Sequence, residues 1–288
     1  MSVSTRTGLI ALLGRPLGFT LAPAMQNSAF RALGMDALYL PVECEADDLP
    51  VLLAAFRRMP FIGLAVTKPL KISILPYLDE SDPLVAQIGS CNTVCFKNGR
   101  WTAHNTDGEG FADALTGAYG DIRGATLLVL GAGGASRALC FACAARGAGR
   151  ILLVNRTLET ARALAQAVSL RFPIPCEALP WGELSSALPM ADILINATGL
   201  GMEPHVGQTP LPAALLSPRL FVCDLAYRPA RTRLLADAEA AGCRTMNGLA
   251  MAVYQGARQI KLWTGYDAPI GFMSDTLRRL SGCEGDRL

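Results

Sequence analysis

Lys71 closes the stretch GLAVTKPLK at 63–71, where an apolar run stops at Thr67 and Pro69 follows. Asp107 stands further on, in HNTDGEGF at 104–111. An amine and a carboxylate, each placed where an extended apolar segment ends, suit one kind of chemistry. In a parallel-type sheet the carboxyl ends of the strands face a common crevice, so two such side chains converge there. A lysine can exchange a hydroxyl proton when burial weakens its hold on its own proton, while a neighbouring aspartate keeps it in place. Hydride transfer to or from a secondary alcohol needs that exchange. Without the partnership, Lys71 reads as a solvated surface lysine and Asp107 as the cap of the helix that follows.

A second group of residues suits a nucleotide. Gly131-Ala132-Gly133-Gly134-Ala135-Ser136 lies between a strand pattern and a helix pattern. Gly131 permits a tight turn, Gly133 lets the backbone approach a pyrophosphate, and the helix N-terminus offers free N–H groups and the positive end of its dipole. Ser136 stands where the third glycine of G-x-G-x-x-G would be and is small enough for close helix–strand packing. The next strand ends in Asn155-Arg156-Thr157. An acidic residue there would hold a ribose 2′-hydroxyl and repel a 2′-phosphate. An arginine instead stacks on adenine and pairs with phosphate, so NADP is expected, with NAD as the alternative.

The elements that must position these groups follow from the apolar pattern. Strands are predicted at 8–14, 37–44 and 62–67, with helices at 23–34 and 47–59, the latter capped by Asp47 or Asp48. Strands separated by such helices imply βαβ units and a largely parallel sheet. Residues 91–105 differ: two alternating runs flank Asn98-Gly99, a strong hairpin signal, so the first sheet is expected to be mixed. From 126 the pattern is doubly wound: a strand, a glycine turn and a helix over 126–147, strands at 150–157, 191–198 and 220–227, and helices from 158 to about 171 and at 232–242. Two helices, 248–265 and about 272–282, have no strand partner.

Nine separated motifs, GRPLGFTLAPAMQN, GLAVTKPLK, SCNTV, HNTDGEGF, GAGGASRA, VNRT, INATGLGM, DLAYRPARTRLL and GLAMAVYQGA, run in this order from Gly14 onward. In that order they resemble the shikimate dehydrogenase family. The resemblance implies an α/β chain of two domains. Residues 1–112 would be a mixed α/β substrate and catalytic domain, completed by returning helices over 248–288. Residues 113–247 would be a doubly wound Rossmann-type dinucleotide domain. It implies Lys71 and Asp107 as the catalytic pair, and Thr20, Thr67, Asn92, Tyr227 and Gln255 as substrate contacts. Gly131, Ala132, Gly133, Gly134, Ala135, Asn155, Arg156, Thr157, Thr198, Leu225 and Gly248 would line the cofactor. The expected reaction passes a hydride between NADP(H) and a ring hydroxyl or ketone of shikimate or 3-dehydroshikimate, a step toward aromatic amino acids.

This chain also departs from the family. The usual His-Ser-x-Ser-Pro is here Phe19-Thr20-Leu21-Ala22-Pro23, so one of two hydroxyls that grip the substrate carboxylate is absent at Ala22. Ala65 replaces the asparagine of Asn-Val-Thr, and Thr160 stands where a second basic residue is common. A hydrogen bond to a charged group contributes about 1.5–3 kcal/mol. The alternative is therefore an NAD-preferring relative acting on quinate or a modified shikimate. A nucleotide sensor without catalysis is a rival from another class, which would not need the Lys71–Asp107 pair.

Composition sets the outer bounds. With 288 residues, 51% hydrophobic and 17% charged, the chain has material for two globular cores. A net charge of +2 with scattered Lys and Arg offers no face for nucleic acid. The apolar run near the start is shorter than the roughly 7–15 residues of a signal-peptide core, and no stretch reaches the roughly 18 of a membrane helix. The expected setting is cytoplasmic, as a monomer or homodimer with a small-molecule substrate and without a metal. Nine cysteines do not form a disulfide framework, and the Cys140-x-x-Cys143 pair lies on an apolar helix, where packing is the expected role.

Overall fold

The computed structural model describes residues 3–282. The chain divides into two compact units, one formed by residues up to Asp107 with 252–280 and one by residues 108–251.

In the first unit the chain runs β1 (Gly8–Gly14), α1 (Ala22–Ala32), β2 (Ala37–Glu43), α2 (Leu49–Phe56), β3 (Phe61–Val66), α3 (Leu70–Ser73), β4 (Glu80–Ser81), α4 (Pro83–Ile88), β5 (Thr93–Lys97) and β6 (Arg100–His104). The sheet order is β2-β1-β3-β5-β6-β4. β2, β1 and β3 are mutually parallel, whereas β5 runs antiparallel to β3 and to β6. The reversal comes from the two-residue loop Asn98-Gly99, with φ of 53° and 77°. Positive φ at both positions matches the right-handed twist of the flanking strands. It has a consequence for the site: the first residue of β5 lies beside the last turns of β3 and β6. The core of this unit is Leu13, Leu64, Val66, Val94 and Trp101, packed under Leu49, Leu53 and Phe56 of α2.

The expected helix at 47–59 is shorter and capped differently. Residues 46–48 form a single tight turn, in which Glu45 and Asp48 cap each other's backbone N–H groups, the Asp48 carboxylate accepting from Glu45 N at 2.8 Å. α2 ends at Phe56 because Pro60 lies just beyond, and a residue preceding proline is driven from helical to extended backbone.

After Asp107, the first residue of α5 (Asp107–Ala118), the chain enters the second unit and continues with β7 (Thr126–Leu130), α6 (Gly134–Ala145), β8 (Arg150–Asn155), α7 (Leu158–Arg171), β9 (Cys176–Pro180), α8 (Leu184–Ala187), β10 (Ile193–Asn196), β11 (Phe221–Asp224), α9 (Arg233–Ala240) and β12 (Arg244–Met246). Its sheet order is β12-β11-β10-β7-β8-β9, every pair parallel. Counted within the unit this is 3-2-1-4-5-6, the doubly wound order whose reversal point lies between β7 and β10. Helices on both faces explain why β7, β8 and β10 read as unbroken apolar runs: Leu128, Leu152 and Leu194 pack on one face, Leu127, Ile151 and Ile193 are equally buried on the other. β9 and β12 escaped the sequence reading because both are short and half-exposed.

The chain ends in α10 (Leu249–Thr264) and α11 (Ile270–Ser281). Residues 283–288 of the stretch expected to be helical lie outside the described residues. Within the first unit α10 is sewn to the sheet: Trp263 Nε1 donates to the Val94 carbonyl at 3.0 Å. A Cβ at Gly63 would sit 2.3 Å from that indole, so only glycine admits it.

The eight described cysteines are all free; Cys283 lies outside the described residues. Cys140 and Cys143 are fully buried, and burial pushes the Cys143 thiol up to about 12. Among the described residues no three His, Cys, Asp or Glu side chains group as metal ligands, and no helix is long and apolar enough to cross a membrane.

Candidate active site

Lys71 lies on α3, one short turn after β3. The turn is fixed at both ends: the Leu70 N–H donates to Thr67 O at 2.9 Å, and the Cys91 N–H donates to the Lys71 carbonyl at 2.7 Å. Thr67 itself is held against β1, its N–H donating to Leu13 O at 2.8 Å. Gly14 makes that approach possible, since a Cβ there would come within 2.5 Å of Thr67 Cγ2. Burial pushes the Cys91 thiol up to about 12, so it stays neutral and does not compete for a proton in this region.

Lys71 Nζ stands 2.5 Å from Asp107 Oδ2, with only 17% and 7% of the two side chains exposed. This lysine is not surface decoration. Asp107 is the first residue of α5, and its N–H donates to Asn105 Oδ1 at 3.0 Å. Asn105 thus does the capping and the Asp107 carboxylate is left for other partners. Its Oδ1 accepts from Asn92 Nδ2 at 2.8 Å. Asn92 is placed by the reversed strand: its carbonyl takes the Val66 N–H at 2.8 Å and its N–H donates to His104 O at 3.2 Å. The same Nδ2 reaches Thr106 Oγ1 at 3.0 Å and Gln255 Oε1, on α10, at 3.4 Å.

The structure therefore brings Lys71, Asp107, Asn92 and Gln255 together within hydrogen-bonding distance. Thr67 sits at the end of the adjacent strand. Thr20 precedes α1, where its hydroxyl accepts the Ala22 N–H at 3.3 Å. Tyr227 lies in the second unit, half-buried on the loop after β11. Asn105, Thr106 and Thr93 were missed as contributors, although two of them stand in the same four-residue run as Asp107. Their neutral side chains give no signal until the fold shows which donors they face.

The nucleotide-type residues lie at the carboxyl edge of the second sheet. Gly131 turns with φ of 99°, and a Cβ on it would meet the Ala197 carbonyl at 2.9 Å. α6 begins at Gly134 with no acidic residue in its first turn, so its positive end is open to an anion. Gly133, Gly134 and Ala135 border this end, and Ala132 is buried beneath it. Asn155 donates to Thr157 O at 2.8 Å, folding the loop so that Arg156 and Thr157 are exposed. Thr198 is fixed by Asn196, whose Oδ1 accepts its N–H and its hydroxyl at 3.2 and 2.7 Å. Gly248 permits contact with the next loop, a Cβ there lying 2.1 Å from Leu225 O. Asp224 ties these loops, accepting from Asn196, Ala226 N and Thr232 Oγ1 at 3.1, 3.0 and 2.7 Å. Burial raises its carboxyl above the usual range, against the pull of those donors. The glycine cradle and the helix end without an acidic residue fit a dinucleotide, and Arg156 in place of an acid at the end of β8 fits one bearing a 2′-phosphate.

A parallel sheet with a glycine-rich first turn and the order 3-2-1-4-5-6 defines the second unit as Rossmann-type, and the first unit carries a buried lysine–aspartate pair. Family models match in three consecutive pieces. They are the shikimate dehydrogenase substrate binding domain at residues 12–94, shikimate / quinate 5-dehydrogenase at 114–229, and the shikimate 5′-dehydrogenase C-terminal domain at 248–278. The shikimate dehydrogenase (NADP(+)) of Moorella thermoacetica is 42% identical over 98% of this chain and 96% of its own length. The crystal structure of shikimate 5-dehydrogenase from Thermus thermophilus in complex with NADP(H) and shikimate is 36% identical. It superposes with a TM-score of 0.84 over 94% of this chain and 98% of that one. Quinate dehydrogenase from Corynebacterium glutamicum in complex with NAD is 29% identical, with a TM-score of 0.88 over 94% and 98%. The chain belongs to the shikimate dehydrogenase family.

Proposed function

We propose that this protein is an NADP-dependent oxidoreductase that interconverts the ring hydroxyl of shikimate and the ketone of 3-dehydroshikimate. The observation that carries the reading is Lys71 Nζ at 2.5 Å from Asp107 Oδ2, with Asn92 bound to the other carboxylate oxygen. In the oxidative direction Lys71 would take the proton of the substrate hydroxyl as its carbon becomes a carbonyl, and in the reverse direction it would return it. Asp107 holds the amine in place and offsets the positive charge when it forms. Asn92, Gln255, Thr67 and Thr20, all of the first unit, would orient the ring. The second unit, residues 108–251, would hold the nucleotide through Gly131 to Ala135, Asn155 to Thr157, Thr198, Leu225 and Gly248. When bound, the nicotinamide supplies the acceptor or donor of the hydride.

A second reading is favoured by one feature of the first unit. Ala22 and Ala65 provide no side-chain polar atom, and the surviving Thr20 hydroxyl already accepts from the Ala22 backbone. An NAD-preferring enzyme for quinate or a modified shikimate is consistent with that altered grip. The described cysteines are free thiols, which is in keeping with a reducing, cytoplasmic setting. The test is reduction of NADP and of NAD, followed by ultraviolet absorbance, with shikimate and with quinate. Turnover fastest with shikimate and NADP supports the first reading. Turnover only with quinate and NAD replaces it with the second, and none with either acid removes the first and leaves of the second only a modified shikimate.

A further inference from the structure

Gln26 on α1 and Gln259 on α10 are side-chain amides with 0% and 3% of their surface exposed. Most buried amide groups have a hydrogen-bond partner, and each such contact has a direction. Gln259 Nε2 donates to the backbone carbonyl of Asn92 at 3.2 Å and to Thr93 Oγ1 at 3.1 Å. Its Oε1 accepts from Gln26 Nε2 at 3.0 Å. A backbone carbonyl can only accept, which fixes the orientation of the Gln259 amide and uses both of its hydrogens. Thr93 Oγ1 therefore accepts from Gln259, and the single Thr93 proton is directed to Asn92 Oδ1 at 2.8 Å. Asn92 Oδ1 also takes the Thr106 N–H at 2.8 Å. With its oxygen held by these two short donors and by Thr106 Oγ1 at 3.3 Å, the Asn92 amide presents its nitrogen to Asp107, whose second oxygen holds Lys71.

We propose that Gln259 is a positioning residue for the Lys71–Asp107 pair, acting through the Thr93 hydroxyl to fix the Asn92 amide against Asp107. The assignment rests on the reading that this pair moves the substrate proton. Every link in the path lies in the first unit. Without Gln259 the Thr93 hydroxyl is free to turn toward Thr106 Oγ1, 3.4 Å away. Asn92 Oδ1 then loses one of its two short donors, and Asp107 loses a fixed partner at the point where geometry matters most.

The experiment compares the full chain with Gln259→Leu, Thr93→Val, Thr93→Ser and the double variant Thr93→Val/Gln259→Leu. Turnover, both Michaelis constants and the pH profile of turnover are measured. The rate at which acetic anhydride labels Lys71 without substrate or nucleotide is followed by mass spectrometry. Gln259→Leu and Thr93→Val should each lower turnover between about tenfold and a hundredfold, the scale of effect that misorientation brings. Both should displace the pH profile and change the Lys71 labelling rate while leaving the Michaelis constant for NADP unchanged. Thr93→Ser should retain activity, and the double variant should be no worse than the poorer single one. Wild-type turnover, pH profile and labelling in Gln259→Leu, with only a lower melting temperature, would overturn the proposal. Losses that add in the double variant would do so too. If Gln259→Leu does not fold, equal activity of Thr93→Val and Thr93→Ser overturns the relay. If the wild type turns over neither acid, the functional reading fails, and Lys71 labelling alone then decides the positioning.

Discussion

At Lys71 the chemistry and the packing make different demands, and truncation separates them. Lys71→Ala removes the proposed proton carrier but leaves the backbone bonds from Leu70 and Cys91 that shape its turn. Turnover should fall by about 10²–10⁴-fold, with NADP affinity measured by fluorescence titration nearly unchanged. Asp107→Asn keeps the shape, loses the charge that holds Lys71, and should also be impaired. Ala22 tests substrate identity at the same scale. Ala22→Ser adds a hydroxyl beside Thr20 and should lower the Michaelis constant for shikimate several-fold, in line with about 1.5–3 kcal/mol for a hydrogen bond to a charged group. Turnover should change less, because a carboxylate carries the same charge in the ground and transition states. Weaker shikimate binding in steady-state kinetics would instead mark a pocket shaped for another acid.

Elements decide where these residues stand. α10 can bring Gln255 and Gln259 to the sheet only because Gly63 on β3 leaves room for Trp263. In Gly63→Ala the new methyl would lie 2.3 Å from the indole and 2.7 Å from the Val94 carbonyl, neither of which can yield easily. A loss of about 1–3 kcal/mol, read from the urea midpoint, is expected. The turn after β8 carries a different prediction. Arg156 is exposed, and a 2′-phosphate would give its guanidinium a charged partner that NAD lacks. Arg156→Ala should raise the Michaelis constant for NADP more than that for NAD. Equal losses would restrict Arg156 to stacking on adenine.

For the whole molecule, Asp224 couples folding to pH. Burial raises its carboxyl in the folded state, so the folded form holds its proton to higher pH than the unfolded chain. Its contribution is fully present below the unfolded value of about 3.9 and is lost as pH rises through the folded value. Asp79 runs the other way, held low by the Trp101 N–H and then by Arg57, so the total stability curve mixes both. The difference between wild type and Asp224→Asn isolates the first term. The melting temperature of Asp224→Asn, relative to wild type, should climb as pH is raised from about 4 toward neutral. A flat difference would mean that Asp224 ionises alike in both states.

Local pattern alone determined a great deal of this protein. Apolar runs set β7, β8 and β10, Asn98-Gly99 set the hairpin, and the glycines at 131 and 133 set the turn before α6, because backbone sterics and burial act over a few residues. Lys71, Asp107, Asn92 and Gln255 were also legible, each standing in a motif with a recognisable order. Tertiary structure decided what those residues touch. That Asn105, not Asp107, caps α5 depends on which carboxylate oxygen finds Lys71 across 36 residues of chain. That two buried glutamines on α1 and α10 reach the Asn92 backbone and Thr93 depends on helices far apart in sequence packing on one strand. Hydrogen-bond direction is set by the partner a group meets after folding, and a sequence does not record where a neutral amide will point.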